Sequence, residues 1–305
     1  MRNDKRKKIL IVGGTGFLGY HLSRACLRTA EITSLSLSKP RKIRKLKGVK
    51  YIICNISKIN NLKNKLIKDY DIIINFGGYI NHVKKKQTYN SHYLGSKNLV
   101  NFFSKKKIKR FIQIGSSSEY GKLEGPHSDN IKGNPSTIYG HSKLMASKYL
   151  IGFNKKNFPF TILRLYQVYG PNQNKDRILP MIINSALRDE KFNCSSGKQN
   201  RDFLYVDDAI RAIIQCFKNK KVIGKIINIG YGKQINIKKL IKKLILIIGK
   251  GTPLFGKIKL RNDEPLSSYP NLKNAKKYLN WKPKINLKEG LSKTISFYKK
   301  QKGLN

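Results

Sequence analysis

Ile9-Leu-Ile-Val-Gly-Gly-Thr-Gly-Phe-Leu-Gly19 is the stretch on which the fold turns. Four branched apolar residues read as a buried strand, and the glycines that follow break it and open a helix. Gly13 permits the tight turn, Gly16 lets backbone come close to a phosphate, and Gly19 lets the helix pack on the strand. The N–H groups at the helix start, with the positive end of its dipole, then face a dinucleotide pyrophosphate. Taken alone this fingerprint is weak, because glycine turns also close ordinary hairpins.

Outward from it, short apolar runs alternate with helical segments. Lys8–Val12, Ile32–Leu37, Lys50–Cys54, Asp71–Phe76, Arg110–Ile114 and Phe160–Leu165 read as strands. Gly16–Thr29, Leu94–Lys105 and Thr137–Gly152 read as helices between them, the βαβ rhythm of a parallel sheet. After Pro171 the rhythm loosens. Arg177–Leu187 looks helical, a Gly/Ser turn leads to a helix over Asp207–Phe217, and Lys225–Ile229 returns as a strand. Asn236–Ile248 is amphipathic, with Ile237, Leu240, Ile241, Leu244 and Ile248 on one side; we read that stripe as core with a solvated lysine face rather than as a membrane helix.

Sixty-four Lys and Arg against 16 Asp and Glu give the 305 residues a formal charge of +48. Such a charge suits nucleic acid or an anionic membrane. The lysines are scattered through nearly every block rather than gathered on one stripe, which is the pattern of solvated faces, so neither partner is expected. The field would still draw in a diphosphate. Cys26, Cys54, Cys194 and Cys216 form no C-x-x-C pair and no metal pattern, so free thiols and no metal site are expected. The four-residue apolar run falls short of the ~7–15 of a secretory segment, and none approaches the ~18–20 that span a bilayer. The expectation is a cytoplasmic protein.

Far downstream stands Tyr139-Gly-His-Ser-Lys143, a phenol and an ammonium one helical turn apart on one face. With the glycine fingerprint, in that order, the chain resembles the extended short-chain dehydrogenase/reductase family, the NAD(P)-dependent epimerases, dehydratases and reductases of nucleotide sugars. The resemblance spans nearly the whole chain. It extends to Asp71-Ile-Ile-Ile-Asn-Phe-Gly-Gly78, Ile114-Gly-Ser-Ser-Ser-Glu-Tyr-Gly121, Arg164-Leu-Tyr-Gln-Val-Tyr-Gly-Pro171, Arg201-Asp-Phe-Leu-Tyr-Val-Asp-Asp208 and Tyr278-Leu-Asn-Trp-Lys-Pro283. It implies an α/β Rossmann fold, a doubly wound parallel sheet with a smaller C-terminal α/β substrate-binding domain. Residues 1–170 would bind the dinucleotide and residues 171–305 mainly the substrate, with the strand near 225–229 returning to the sheet.

For the cofactor, the resemblance implies contacts from Gly13, Thr15, Gly16, Phe17, Leu18 and Gly19, and from Phe76, Gly77 and Gly78 at the end of the fourth strand. Asn55-Ile56 stands where the family usually places Asp-Leu or Asp-Ile beside the adenine. The second strand ends Leu35-Ser-Leu-Ser-Lys-Pro-Arg41, with no carboxylate to repel a 2′-phosphate and with Ser38 and Lys39 to receive it. NADP(H) is therefore favoured over NAD(H), although a solvated loop would read the same way.

For the chemistry, the resemblance implies that Tyr139 exchanges a proton with a sugar hydroxyl or carbonyl as hydride moves. Lys143 would lower the phenol's pKa and grip the cofactor ribose. Ser116, four residues before Tyr120, is the expected third member, with Ser117 as the fallback. Family dehydratases carry an acid at the position of Ser118; here Glu119 comes one place later, which argues against a 4,6-dehydratase. A 4-epimerase or a 4-keto-sugar reductase needs only Ser, Tyr and Lys, and the residues leave both open. A non-catalytic dinucleotide-binding protein is the alternative class. The substrate would be a nucleotide-diphosphate sugar, with Ser116, Ser117, Gln167, Arg177, Arg201 and Arg261 as its contacts. Guanidinium forks match diphosphate geometry, while an internal ion pair with Asp202 or Asp207 is the competing reading for Arg201. Relatives pair through the helices near Leu94–Lys105 and Thr137–Gly152, so a homodimer is expected.

Overall fold

The computed structural model describes residues 6–78, 84–261 and 264–303. Its first half lays down β1 (Lys7–Val12), α1 (Phe17–Cys26), β2 (Ala30–Ser36), β3 (Val49–Ile53), α2 (Ile59–Lys65), β4 (Ile72–Asn75), α3 (Lys85–Tyr89), α4 (Gly95–Phe103), β5 (Arg110–Ser116), α5 (Ile138–Ile151) and β6 (Phe160–Leu165). The second half adds β7 (Gln167–Tyr169), α6 (Ile178–Leu187), β8 (Lys191–Asn193), β9 (Asn200–Tyr205), α7 (Val206–Gln215), β10 (Lys225–Ile229) and β11 (Gln234–Asn236). It continues with α8 (Ile237–Ile248), β12 (Thr252–Leu254), β13 (Ser267–Ser268), α9 (Lys273–Leu279) and α10 (Leu287–Gln301).

Seven strands form one parallel sheet in the order β10-β6-β5-β4-β1-β2-β3. A parallel sheet must bury both faces, and the alternation along β1 shows how this one does. Ile9 and Ile11 belong to one apolar core with Leu22 of α1, Ile183 of α6, Ile213 of α7 and Leu291 of α10. Leu10 and Val12 belong to the other, with Leu62 of α2, Leu99 and Phe103 of α4 and Leu150 of α5. The strand order reverses at β1, whose neighbours are β4 on one side and β2 on the other. Ligands of open α/β sheets bind in the crevice beyond the strand ends at such a reversal, and the glycine turn lies there. Beyond β6 the chain builds smaller sheets: β9 is flanked by β11 and β13 and also pairs with β7, while β8 pairs with β12. Among the described residues no helix is long and apolar enough to cross a membrane.

The helix expected to begin at Leu94 is preceded by α3 and by a π-helical turn over Asn90–Leu94. Gly95 hides this continuity in the sequence. A side chain there would strike Ile56 at 2.6 Å, so the glycine serves close packing and does not break the helix. The amphipathic stripe of α8 is core: Ile237, Leu240, Ile241, Leu244 and Ile248 are all buried.

Candidate active site

A cleft of about 880 Å³ opens at the carboxyl ends of the parallel strands. The glycine turn forms its floor. Gly13 adopts φ +76, a left-handed conformation, and its N–H donates to Leu35 O at 2.7 Å. A side chain on Gly19 would lie 2.5 Å from both Gly13 O and Gly14 Cα, so the first turn of α1 packs directly on the loop. Thr15 N donates to Ser36 Oγ at 3.2 Å, tying the turn to the end of β2. Gly13, Thr15, Gly16, Phe17, Leu18 and Gly19 all line the cleft, and α1 presents its N-terminus there. Phe76, Gly77 and Gly78 form the adjoining wall, fixed from behind by Asn75, whose Oδ1 accepts from Gly77 N at 2.9 Å.

The end of β2 is only partly as expected. Ser36, Leu37 and Ser38 line the cleft, but Lys39 is exposed and stands outside its wall. The chain has already turned outward at Leu37, which is 60% exposed. The buried cation of this segment is Arg44, which reaches Thr15 O, Asn172 O and Asn174 Oδ1. Asn55 and Ile56 also line the cleft. Asn55 Oδ1 accepts from Ser57 N and Oγ, so the acceptor half of that amide is committed within its own turn.

Helix α5 carries the phenol and the ammonium. Thr137 caps it by accepting from Gly140 N at 3.0 Å, and Tyr139 and Lys143 follow one turn apart on the cleft wall. Lys143 Nζ donates to Ile114 O at 2.7 Å. Burial lowers its pKa to about 8, with the charge of Glu119 acting the other way. Burial raises the Tyr139 phenol, while a hydrogen bond with the Ser116 side chain and the positive charge of Arg177 pull it back down. Among the charged groups around the phenol, Arg177 pulls its pKa down and Glu119 pushes it up. The ring of His92 meets that of Tyr139 edge-on, with centroids 4.9 Å apart. His92 is buried in the π-helical turn and also lines the cleft.

Ser116 ends β5 and caps the short 3₁₀ turn Ser117–Tyr120 in a reciprocal box. Its Oγ accepts from Ser118 N, and its N donates to Glu119 Oε1 at 2.9 Å. Glu119 is fully buried, and its Oε2 accepts from Arg164 Nε at 2.9 Å and Ser147 Oγ at 2.8 Å. Arg164 Nη1 continues to Tyr120 OH and Asp129 O. The Ser-x-x-Glu spacing is the sequence signal that could have found this box; the Arg164 partner, 45 residues on, leaves none.

Ser117, Gln167, Arg177, Arg201 and Arg261 also reach the cleft. Arg201 forms its ion pair with Glu264, at 2.7 Å, and not with Asp202 or Asp207. Asp202 instead accepts from the backbone N–H groups of Tyr231 and Gly232, and burial raises its pKa to about 7. Asp208 ties the Tyr278–Pro283 tail down: its carboxylate accepts from Lys284 N and Ile285 N, and its carbonyl from Trp281 Nε1. The lining cations are Lys143, Arg177, Arg201 and Arg261; among the described residues the lining carboxylates are Asp176 and Glu264. His92, Asn75, Glu119 and Glu264 were not singled out as site residues from sequence.

The chain is 27% identical over 312 residues to the uncharacterized UDP-glucose epimerase YtcB of Bacillus subtilis, covering 95% of this chain and 97% of that one. It is 27% identical to the human dTDP-D-glucose 4,6-dehydratase, over 96% and 90% of the two chains. A solved UDP-glucuronic acid 4-epimerase from Bacillus cereus, in complex with UDP-glucuronic acid and NAD, superposes with a TM-score of 0.86 at 27% identity, covering 96% of this chain and 99% of that one. Residues 9–230 match the model of the NAD dependent epimerase/dehydratase family, and with the parallel sheet and its glycine-floored cleft already described, the chain belongs to that family.

Proposed function

We propose that this protein is an NAD(P)-dependent nucleotide-sugar enzyme that acts at sugar C4 by hydride transfer, as a 4-epimerase. The observation that carries the reading is the convergence of Ser116, Tyr139 and Lys143 on a cleft that is also lined by a glycine turn and by three arginines. The glycine turn fits a dinucleotide: its backbone is held open by Leu35 O and Ser36 Oγ, and no side chain stands over Gly16. Bound NAD(P) would supply the hydride acceptor and donor. Tyr139 would take the proton of the C4 hydroxyl as hydride leaves that carbon and return it to the carbonyl oxygen when hydride comes back. Ser116 would hold the same oxygen, and Arg177 would steady the phenolate between the two steps. Lys143, fixed by Ile114 O, would hold the cofactor ribose. Arg201 and Arg261 would take the diphosphate.

Elimination of water is disfavoured. The acid nearest the serine run, Glu119, has both oxygens committed to Ser116, Ser147 and Arg164 and reaches no solvent. A 4-keto-sugar reductase is the second reading, favoured by the cleft residues at the end of β2, Ser36, Leu37 and Ser38, which offer no carboxylate against a 2′-phosphate. On that ground NADP(H) is proposed over NAD(H). A homodimer through α4 and α5 and a cytoplasmic location complete the proposal. The test is incubation with a panel of nucleotide sugars. Interconversion of C4 epimers with no net cofactor change is expected of the epimerase. Stoichiometric loss of NADPH with a 4-keto sugar would assign the reductase, and no turnover of any nucleotide sugar would reject both.

A further inference from the structure

The two guanidiniums that face the cleft from β9 and from the segment before β13 already hold an anion, and it belongs to the chain itself. Arg201 Nη2 donates to Glu264 Oε1 at 2.7 Å, and Arg261 Nε lies 3.7 Å from Oε2 of the same carboxylate. Arg201 is further fixed by donating from Nη1 to Asn200 O, and its side chain is only 9% exposed. Glu264 is partly open to the cleft, at 22%.

We propose that Glu264 sets nucleotide affinity by occupying the diphosphate seat, so that substrate binds by exchanging its anion for this carboxylate. The inference rests on the nucleotide-sugar reading above. Arg201 spends Nη2 on Glu264 and Nη1 on Asn200 O, so while the carboxylate stays it does not offer that pair of nitrogens to a phosphate. A diphosphate that entered beside a retained carboxylate would bring like charges to within about 4 Å in a partly desolvated site, and that repulsion is strong there. A buried guanidinium left with no anion is costly in turn, so Glu264 leaves Arg201 only as another anion arrives. Arg201 is in this way kept satisfied between turnovers, and neutral or weakly anionic molecules do not take the seat.

The test is calorimetric titration of UDP, dTDP, CDP, GDP and ADP into the cofactor-loaded parent, Glu264→Gln and Glu264→Asp, with uridine and thymidine as uncharged controls. Glu264→Gln keeps the shape and removes the charge. It is expected to bind the preferred nucleoside diphosphate about 3- to 10-fold more tightly, a gain limited by the partial exposure of the pair, with nucleoside binding unchanged. Glu264→Asp, its carboxylate drawn back by one methylene, is expected to fall between the two. Unchanged or weaker diphosphate binding by Glu264→Gln overturns the exchange and makes Glu264 a bystander or a direct contact. If no nucleoside diphosphate binds the parent or either variant, the nucleotide reading itself falls and the exchange falls with it.

Discussion

Replacing Glu119 by Gln changes one atom of a carboxylate that no solvent reaches, with no loss of volume. The carboxylate serves three donors: Oε1 takes Ser116 N, and Oε2 takes Arg164 Nε and Ser147 Oγ. An amide has one acceptor oxygen. Turned toward Arg164, it sets its NH₂ against the Ser116 N–H; turned toward Ser116, it sets it against the guanidinium. Ser147 can rotate its hydroxyl and accept, but the other two donors cannot. Either way Arg164, 3% exposed, loses its counter-charge. Breaking a buried pair from one side costs about 3–5 kcal/mol, and we expect a loss of that size in equilibrium urea unfolding at neutral pH. Turnover should fall as well, because Ser116 is held by the same carboxylate. A loss below about 1 kcal/mol would refute the reasoning, since it would mean that Tyr120 OH and Asp129 O suffice for the Arg164 charge.

Lys143, with its pKa lowered to about 8 by burial, makes a pH-dependent contribution. Between about pH 8 and the ordinary lysine value near ~10.4 the unfolded chain binds a proton that the folded chain does not, so this group adds stability as pH rises through that window. The unfolding free energy of the cofactor-free parent should therefore gain on that of Lys143→Met from pH 8 to 10 in parallel melts; a constant difference would contradict the placement. On the cofactor side, Ser38→Asp puts a carboxylate on the cleft wall at the end of β2, and should weaken NADPH at least about 10-fold relative to NADH by fluorescence titration, as expected of a like charge beside the 2′-phosphate. Equal weakening of both would place the 2′-phosphate elsewhere. Sedimentation at micromolar concentration should give a dimer, and Lys substitutions of Tyr93 and Tyr149, on the helical segments Asn90–Leu94 and α5, should give monomers; a parent that sediments as a monomer would exclude that interface.

What the sequence made legible is what local physics decides. The alternation Ile9, Leu10, Ile11, Val12 sends side chains to two different cores, as a strand of period two must. Thr137 and Gly152 bound α5 as its caps, so the helix that carries Tyr139 and Lys143 was placed to within a residue at each end. Where tertiary contact overrides local preference, reading failed. The helix read as starting at Leu94 begins earlier, with α3 and the π-helical turn, and Gly95 is there for a packing on Ile56 that cannot be seen from its neighbours. Strands β7, β8, β11, β12 and β13 are two or three residues long, too short for any period, and exist because a partner lies beside each: β9 for β7, β11 and β13, and β8 and β12 for one another. The partner of Arg201 was sought at Asp202 and Asp207, within the same block, and is Glu264, 63 residues away. His92 gave no signal, because its importance is its position against the Tyr139 ring and not its neighbours in sequence.

Whether the Tyr139 phenol moves the proton at sugar C4 is decided by Tyr139→Phe. The substitution removes one hydroxyl from a cleft wall and leaves the ring against His92. Cofactor affinity and the urea midpoint should stay near parental values while kcat on a verified nucleotide sugar falls ~10²–10⁴-fold, the usual worth of a positioned acid–base group. Parental turnover by Tyr139→Phe, with the same substrate and a folded, cofactor-loaded protein, would contradict the account.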